Sequence, residues 1–257
     1  ALPIWTKFYH YITQSDAKPY AMSVLVNKLI RLQCLESFKT NDDQEFKKFY
    51  EEVGAIHPFE KNRNGIKFID EWKRHIYCFC VTDSPDNDVF WSKYGNVCFE
   101  LSFKLGVPPA CRYIVNFRNV SYDLDDEFHM IKNIQNALKT SLNLKMSPNG
   151  FGYAAMHYKR KQYNGMEYYK ERETRLVLDY NSYDITINDK SVIENKLPVF
   201  MRAAENYIPI PWNSKFIKWE ISKIFCSNKL EEKYFNAIHD AAKKFSSNIE
   251  VLRHNKY

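Results

Sequence analysis

The sequence predicts an α+β fold, with mixed, mostly antiparallel sheets and flanking helices, and two observations carry that expectation. Helical periodicity begins early, whereas stretches rich in aromatic and β-branched residues cluster later, without the strand–helix alternation of a doubly wound parallel sheet. The 257 residues include 18 Tyr, 18 Phe and 5 Trp within a hydrophobic fraction of 45%. Each aromatic ring buries a large area, so a sizeable core is within reach. No repeat, low-complexity tract or Pro/Ser-rich linker divides the chain, and residues 1–257 read as a single domain.

Trp5 to Ile12 has strand chemistry. Tyr20 to Leu32 sets Met22, Leu25, Val26, Leu29 and Ile30 at the spacing of one helical face, which predicts a helix. Phe38 to Asp43 reads as a loop, with Asp42 and Glu45 spaced as a capping box for a helix that follows. Ile76 to Val81 reads as a buried strand and Ser84 to Asp88 as a turn; Val97 to Phe103 and Tyr113 to Val120 are two more strands. Asp125 to Leu142 carries Phe128, Ile131, Ile134 and Leu138 on one helical side. Thr174 to Tyr180 and Tyr183 to Ile187 read as a hairpin joined at Asn181-Ser182, and Ile217 to Phe225 as a further strand. Asn228 is read as the cap of a helix through Phe245, with Glu231 at its capping-box position, and Ile249 to Leu252 as a closing strand.

The formal charge is +6, but Lys and Arg are spread along the chain and the run Lys159-Arg160-Lys161 is short. A solvated basic surface is the plainer reading, and nucleic-acid binding through that surface the alternative. With 7 Gly in all, a glycine-rich phosphate loop is excluded. The cysteines at 34, 78, 80, 98, 111 and 226 form no C-x-x-C pair, so no zinc ribbon or thioredoxin motif is expected. Asn41, Asp42 and Glu45 read as a loop and helix cap, and the acidic run from Asp123 to Glu127 as a helix N-terminus, so no metal is expected. Unpaired thiols, with no secretory pattern at Ala1 to Trp5, predict a cytoplasmic protein. The apolar stretches are shorter than a membrane span, so no membrane partner is expected.

Five blocks occur in order along the chain: Tyr9-His10-Tyr11; Leu29 to Leu32 followed by Phe38 to Glu45; Cys78-Phe79-Cys80 followed by Asp86 to Gly95; Tyr169 to Leu176; and Ile221 to Ile224. Together they resemble a bacterial family catalogued as domain of unknown function 2971. Cys80 stands where the family's C-F-S block has serine, Asp43 where proline is usual, and the segment after Tyr94-Gly95 is shortened. That family is in turn similar to ADP-ribosyltransferases, in which an early strand, a middle strand and a late E-x-E strand meet around NAD.

The resemblance implies an ADP-ribosyltransferase-like fold and NAD as a substrate, with Glu173 and Glu171 as the catalytic pair. If 171–178 is extended, Glu171, Glu173 and Arg175 share one face and Leu176 and Leu178 take the other. Two steps of rise put the carboxylates roughly 6–7 Å apart. Their repulsion is about 2.5 kcal/mol at an effective dielectric near ~20, offset by Arg175. Glu173 would favour the cation-like ribose as the nicotinamide bond breaks, and Glu171 would orient or deprotonate an acceptor. His10 and Tyr11 would hold the ribose and adenylate, Trp91 or Tyr94 would face the nicotinamide, and Arg175 completes the cofactor set. The same E-x-E-x-R pattern also fits a charge ladder on a strand, and His10, Trp91 and Tyr94 also fit packing roles. The implied functions are transfer of ADP-ribose to an unknown protein or nucleic-acid acceptor, as a toxin or phage-defence effector, or a non-catalytic nucleotide- or partner-binding module of the same fold.

Overall fold

The computed structural model describes residues 7–12, 17–34, 76–106, 115–123, 159, 167–179, 207–214 and 217–256. These form an α+β structure with one mostly antiparallel sheet. Its strands are β1 (Lys7–Ile12), β2 (Leu29–Cys34), β3 (Ile76–Thr82), β4 (Val97–Leu105), β5 (Val115–Asn119), β6 (Glu173–Asp179), β7 (Tyr207–Pro211), β8 (Ile217–Ser227) and β9 (Glu250–His254). The described helices are α1 (Ala17–Asn27), α2 (Asp88–Tyr94) and α3 (Glu232–Phe245), with a short 3-10 helix at Tyr168–Glu171. Strand order is β5-β6-β3-β1-β4-β8-β9, and a branch runs from β3 through β2 to β7. Of these pairings, β8 with β9 alone is parallel, α3 forming the crossover.

Alternation fixes what each face carries. On one face Phe8, Ile12, Phe79, Phe99, Leu101, Leu176, Trp219 and Ile224 build the main core, closed by Val24 and Leu25 of α1 and by Ile238, Ala241 and Ala242 of α3. On the other face Tyr11 and Cys98 pack against Phe90 and Trp91 of α2 in a smaller cluster. Polar residues occupy much of that second face: Tyr9 pairs across strands with both Thr82 and Glu100, and Thr82 pairs with Glu173, so all four lie on one side. The α2 helix starts where Asn87 Oδ1 accepts the amides of Val89 and Phe90. It ends at Gly95, whose φ of 124° suits a residue without a Cβ.

The predicted helix from Tyr20 to Leu32 is in fact two elements. The helix stops at Asn27, Lys28 turns the chain at φ 55°, and Leu29–Cys34 is strand. Ile30, Leu32 and Cys34 are buried while Leu29, Arg31 and Gln33 are less so, a period of two that overlaps the helical spacing at Leu29 and Ile30. The final helix begins at Glu232, after a turn over 228–230, so Asn228 does not cap it, and Glu231 occupies the cap position without a side-chain hydrogen bond. The expected loop and cap at 38–45, the helix at 125–142 and the hairpin partner at 183–187 lie outside the described residues.

At β3 the sheet forks. One edge of β3 meets β1 at Thr82 and β2 at Cys78 and Tyr77, so the strand between lacks a continuous neighbour on that side. Side chains fill the gap. His10 Nδ1–H donates to the Cys80 carbonyl at 2.8 Å, and its ring stacks on Phe79 at 4.1 Å. Across the fork the Arg31 amide donates to the Tyr20 hydroxyl at 3.3 Å. Each bond stands in for a ladder hydrogen bond that a neighbouring strand would have made.

Candidate functional site

Glu173 opens β6, but Glu171 is not on that strand. It ends the 3-10 helix, and Arg172 turns the chain between them at φ 46°. The expected shared strand face is therefore replaced by a corner. The corner nonetheless brings the two carboxylates together, because both bind one ammonium. Lys159 Nζ lies 2.6 Å from Glu171 Oε2 and 3.2 Å from Glu173 Oε2. Lys93 of α2 takes Glu171 Oε1 at 3.0 Å, and Arg175 Nε takes Glu173 Oε1 at 2.7 Å, with Nη2 at 3.3 Å from Oε2. Glu171, Glu173, Lys159 and Arg175 are exposed by only 1%, 4%, 3% and 5%.

Backbone and neutral groups lock this cluster. Thr82 Oγ1 donates to the Glu171 carbonyl at 2.8 Å, and Asn87 Nδ2 reaches both that carbonyl and the one of Lys170. The Glu173 amide donates to the Tyr122 hydroxyl at 2.9 Å, and the Lys159 amide to Ser121 O at 2.9 Å. The Tyr168 ring lies 4.9 Å from the Lys159 ammonium and 4.8 Å from that of Lys93, within cation–π range of both.

Burial alone would raise the Glu173 carboxyl, but Arg175 and Lys159, helped by the Cys80 thiol, hold it well below the usual carboxylate range. Hydrogen bonding with Cys78, together with burial, pushes the Cys80 thiol well above its ordinary value. Burial, then the Glu173 charge, raises the Tyr122 phenol. Glu173 is thus ionised, held between two cations, one of which it shares with the Glu171 carboxylate.

The other sequence-predicted site residues divide between the two faces. Tyr11 and Trp91 are on the same face as Glu173. Tyr11 donates to Ser84 O at 3.1 Å and accepts from the Asn87 amide, while Trp91 Nε1–H donates to Pro85 O at 2.7 Å. Tyr94, in the last turn of α2, lies beside Phe90 and 5.7 Å from the Lys93 ammonium. Asn87 is the link, since it binds Tyr11 on one side and Glu171 on the other. His10 points off the opposite face, toward Phe79 and Tyr20. No protein-family model matches the chain, and neither does any curated protein or solved structure. The likeness to domain of unknown function 2971 therefore rests on the five sequence blocks themselves.

Lys159, Asn87 and Tyr122 were not singled out by sequence. Lys159 sits in a basic run whose plainer reading was a solvated surface, yet it is buried. Asn87 gave a cue as a turn residue ahead of an aromatic helix, which is the pattern of an N-cap. Among the described residues no group of three His, Cys, Asp or Glu is arranged to hold a metal ion, and no helix is long and apolar enough to cross a membrane.

Burial lowers the His10 imidazole to about 4, against a smaller opposing pull from the Cys80 carbonyl. Its folded value lies below its unfolded value of about 6.5. Between the two, the unfolded chain binds the extra proton, so the contribution is complete above the unfolded pKa and is lost as pH falls toward 4. The loss is expected to reach about 3 kcal/mol. Urea midpoints measured from pH 7 to 4 should fall more steeply for the natural chain than for His10→Gln. Parallel profiles would contradict a neutral imidazole held at the fork.

Proposed function

We propose that this chain is a non-catalytic nucleotide-binding module in which the Glu171–Glu173 cluster holds the site's shape. One observation carries the reading: every oxygen of both carboxylates already lies within hydrogen-bonding distance of a Lys or Arg nitrogen. A carboxylate engaged in this way is a poor base and gives little field to a developing cation, because its own cations cancel it. The rim of the cluster suits a nucleotide. Tyr94 and Tyr169 supply rings, and Arg172 and Lys170 supply exposed cations whose acid partners, Asp83 and Glu167, are partly or largely exposed. Such surface pairs are worth ~0–1 kcal/mol each, so an incoming phosphate can displace the acids.

Unfolding midpoints with NAD, ADP-ribose and ATP test this, alongside chromatography of NAD for cleavage. The expected result is a rise in midpoint without turnover, lost in Lys170→Glu/Arg172→Glu. Turnover of NAD that disappears in a folded Glu173→Gln variant would overturn it in favour of ADP-ribosyl transfer. That second reading has its own support, since Glu173 is ionised and shares a face with Tyr11 and Trp91. It requires Lys159 to leave Glu173 when NAD enters. Glu173→Gln is a better probe than Glu173→Ala, because both remove the charge beside Arg175 but Gln keeps the volume and an acceptor in the buried site.

A further inference from the structure

Arg31 lies on the β2 side of the fork, away from the acidic cluster. Its neighbours Ile30 and Leu32 turn into the main core, while the Arg31 side chain packs between Tyr207 of β7 and the Tyr20 and Ser23 side chains of α1. The guanidinium carbon is 4.6 Å from the centroid of the Tyr207 ring and 5.6 Å from that of Tyr20. Its one side-chain hydrogen bond among the described residues runs from Nη2 to Ser23 Oγ at 3.4 Å, and no carboxylate there forms an ion pair with it. This contrasts with Arg172, Arg175 and Arg253, each of which meets an acid. A half-buried guanidinium that meets no counter-charge among the described residues, and spends one side-chain hydrogen bond there, is arranged to receive an anion.

Ser23 gives an independent indication. Its Oγ accepts from Asn27 Nδ2 at 3.2 Å as well as from Arg31. With both lone-pair directions taken, the Ser23 hydroxyl proton is left to donate. A hydroxyl and a guanidinium that both offer hydrogens and require acceptors fit a group that only accepts and carries negative charge. A tetrahedral phosphate can take the two-pronged guanidinium on one edge and the hydroxyl on another oxygen. We propose that Arg31 and Ser23 form a phosphate-binding subsite, with the Tyr207 and Tyr20 rings holding the guanidinium in place. The site does not rest on the proposed nucleotide site: Lys170 and Arg172 flank Glu171, on the far side of β3 from β2.

The test is calorimetric titration of the full chain at low ionic strength with inorganic phosphate and pyrophosphate, and with acetate and citrate in parallel. Pyrophosphate is expected to bind, with affinity lowered about tenfold or more in Arg31→Gln and by a smaller factor in Ser23→Ala. Arg31→Lys should fall between, since it keeps the charge but loses the two-pronged geometry. The bond to Tyr20 comes from the Arg31 main-chain amide, so these variants keep it, and an unchanged unfolding midpoint would certify the fold. Lys170→Glu/Arg172→Glu should leave pyrophosphate binding at this subsite intact, which separates its failure from failure of the nucleotide reading. Equal titration of the natural chain and Arg31→Gln, or no heat with either phosphate, would overturn the proposal. Binding of carboxylates as tight as that of pyrophosphate would overturn the phosphate assignment.

Discussion

Replacing Lys159 by Met is expected to destabilise the fold by about 3–5 kcal/mol, the range for removing one partner from a buried ionic cluster. Met keeps most of the side chain's volume, so the loss isolates the charge. Glu171 and Glu173 would then face each other with no ammonium between them, each almost fully buried. Urea unfolding near pH 7 should show the whole difference. The pH dependence gives a second check. In the natural chain Glu173 is held ionised below the ordinary carboxylate range. Its contribution is therefore present above the unfolded carboxylate pKa of about 4.3 and declines as pH falls through it. In Lys159→Met the stranded carboxyls take up protons more readily, so the gap between the two proteins should narrow in acid. Adding Glu171→Gln to Lys159→Met should restore part of the loss, because one of the opposed charges is gone. A midpoint unchanged by Lys159→Met would mean that the ammonium does not bridge the pair.

Trp219→Ala should cost a similar amount, about 3–5 kcal/mol, but from packing instead of charge. The Trp219 side chain is fully buried, its Nε1–H donates to Ile210 O at 3.0 Å, and its ring lies 6.1 Å from Phe245 of α3. It ties the β2–β7 branch to β8. Loss of that tie should appear first as faster amide exchange in β7, and pyrophosphate binding at Arg31 should weaken with it. A small effect, with exchange in β7 unchanged, would show that the Trp219 side chain does not hold the branch.

Most of the strands were legible, although β2 fell within an expected helix and β7 was not expected. Ile76 to Thr82 sets aromatic and β-branched residues around Cys78 and Cys80 with no charge or turn residue among them, and Ile217, Trp219 and Ile221 alternate with Lys218 and Glu220, so both declare themselves. The turn at Lys28 did not, because no glycine marks it and Leu29 and Ile30 satisfy both periods. A similar turn at Arg172 took Glu171 off the strand. Lys159 was illegible for a different reason: lysines are seldom buried, and what buries this one is a pair of acids brought back to it by the corner at Arg172. Adjacent strand residues face opposite sides, so His10 and Tyr11 serve different faces of the sheet.

The pairing of β4 with β8 joins residues more than a hundred positions apart. While the chain is being synthesised, β4 can align on β1, but its other margin stays bare until the segment around Ile217 leaves the ribosome. Through that interval a nascent chain presents an adhesive edge carrying Phe99, Leu101 and Phe103. Chains arrested before β8 should therefore associate or recruit chaperones. The same chains released after β9 should remain dispersed.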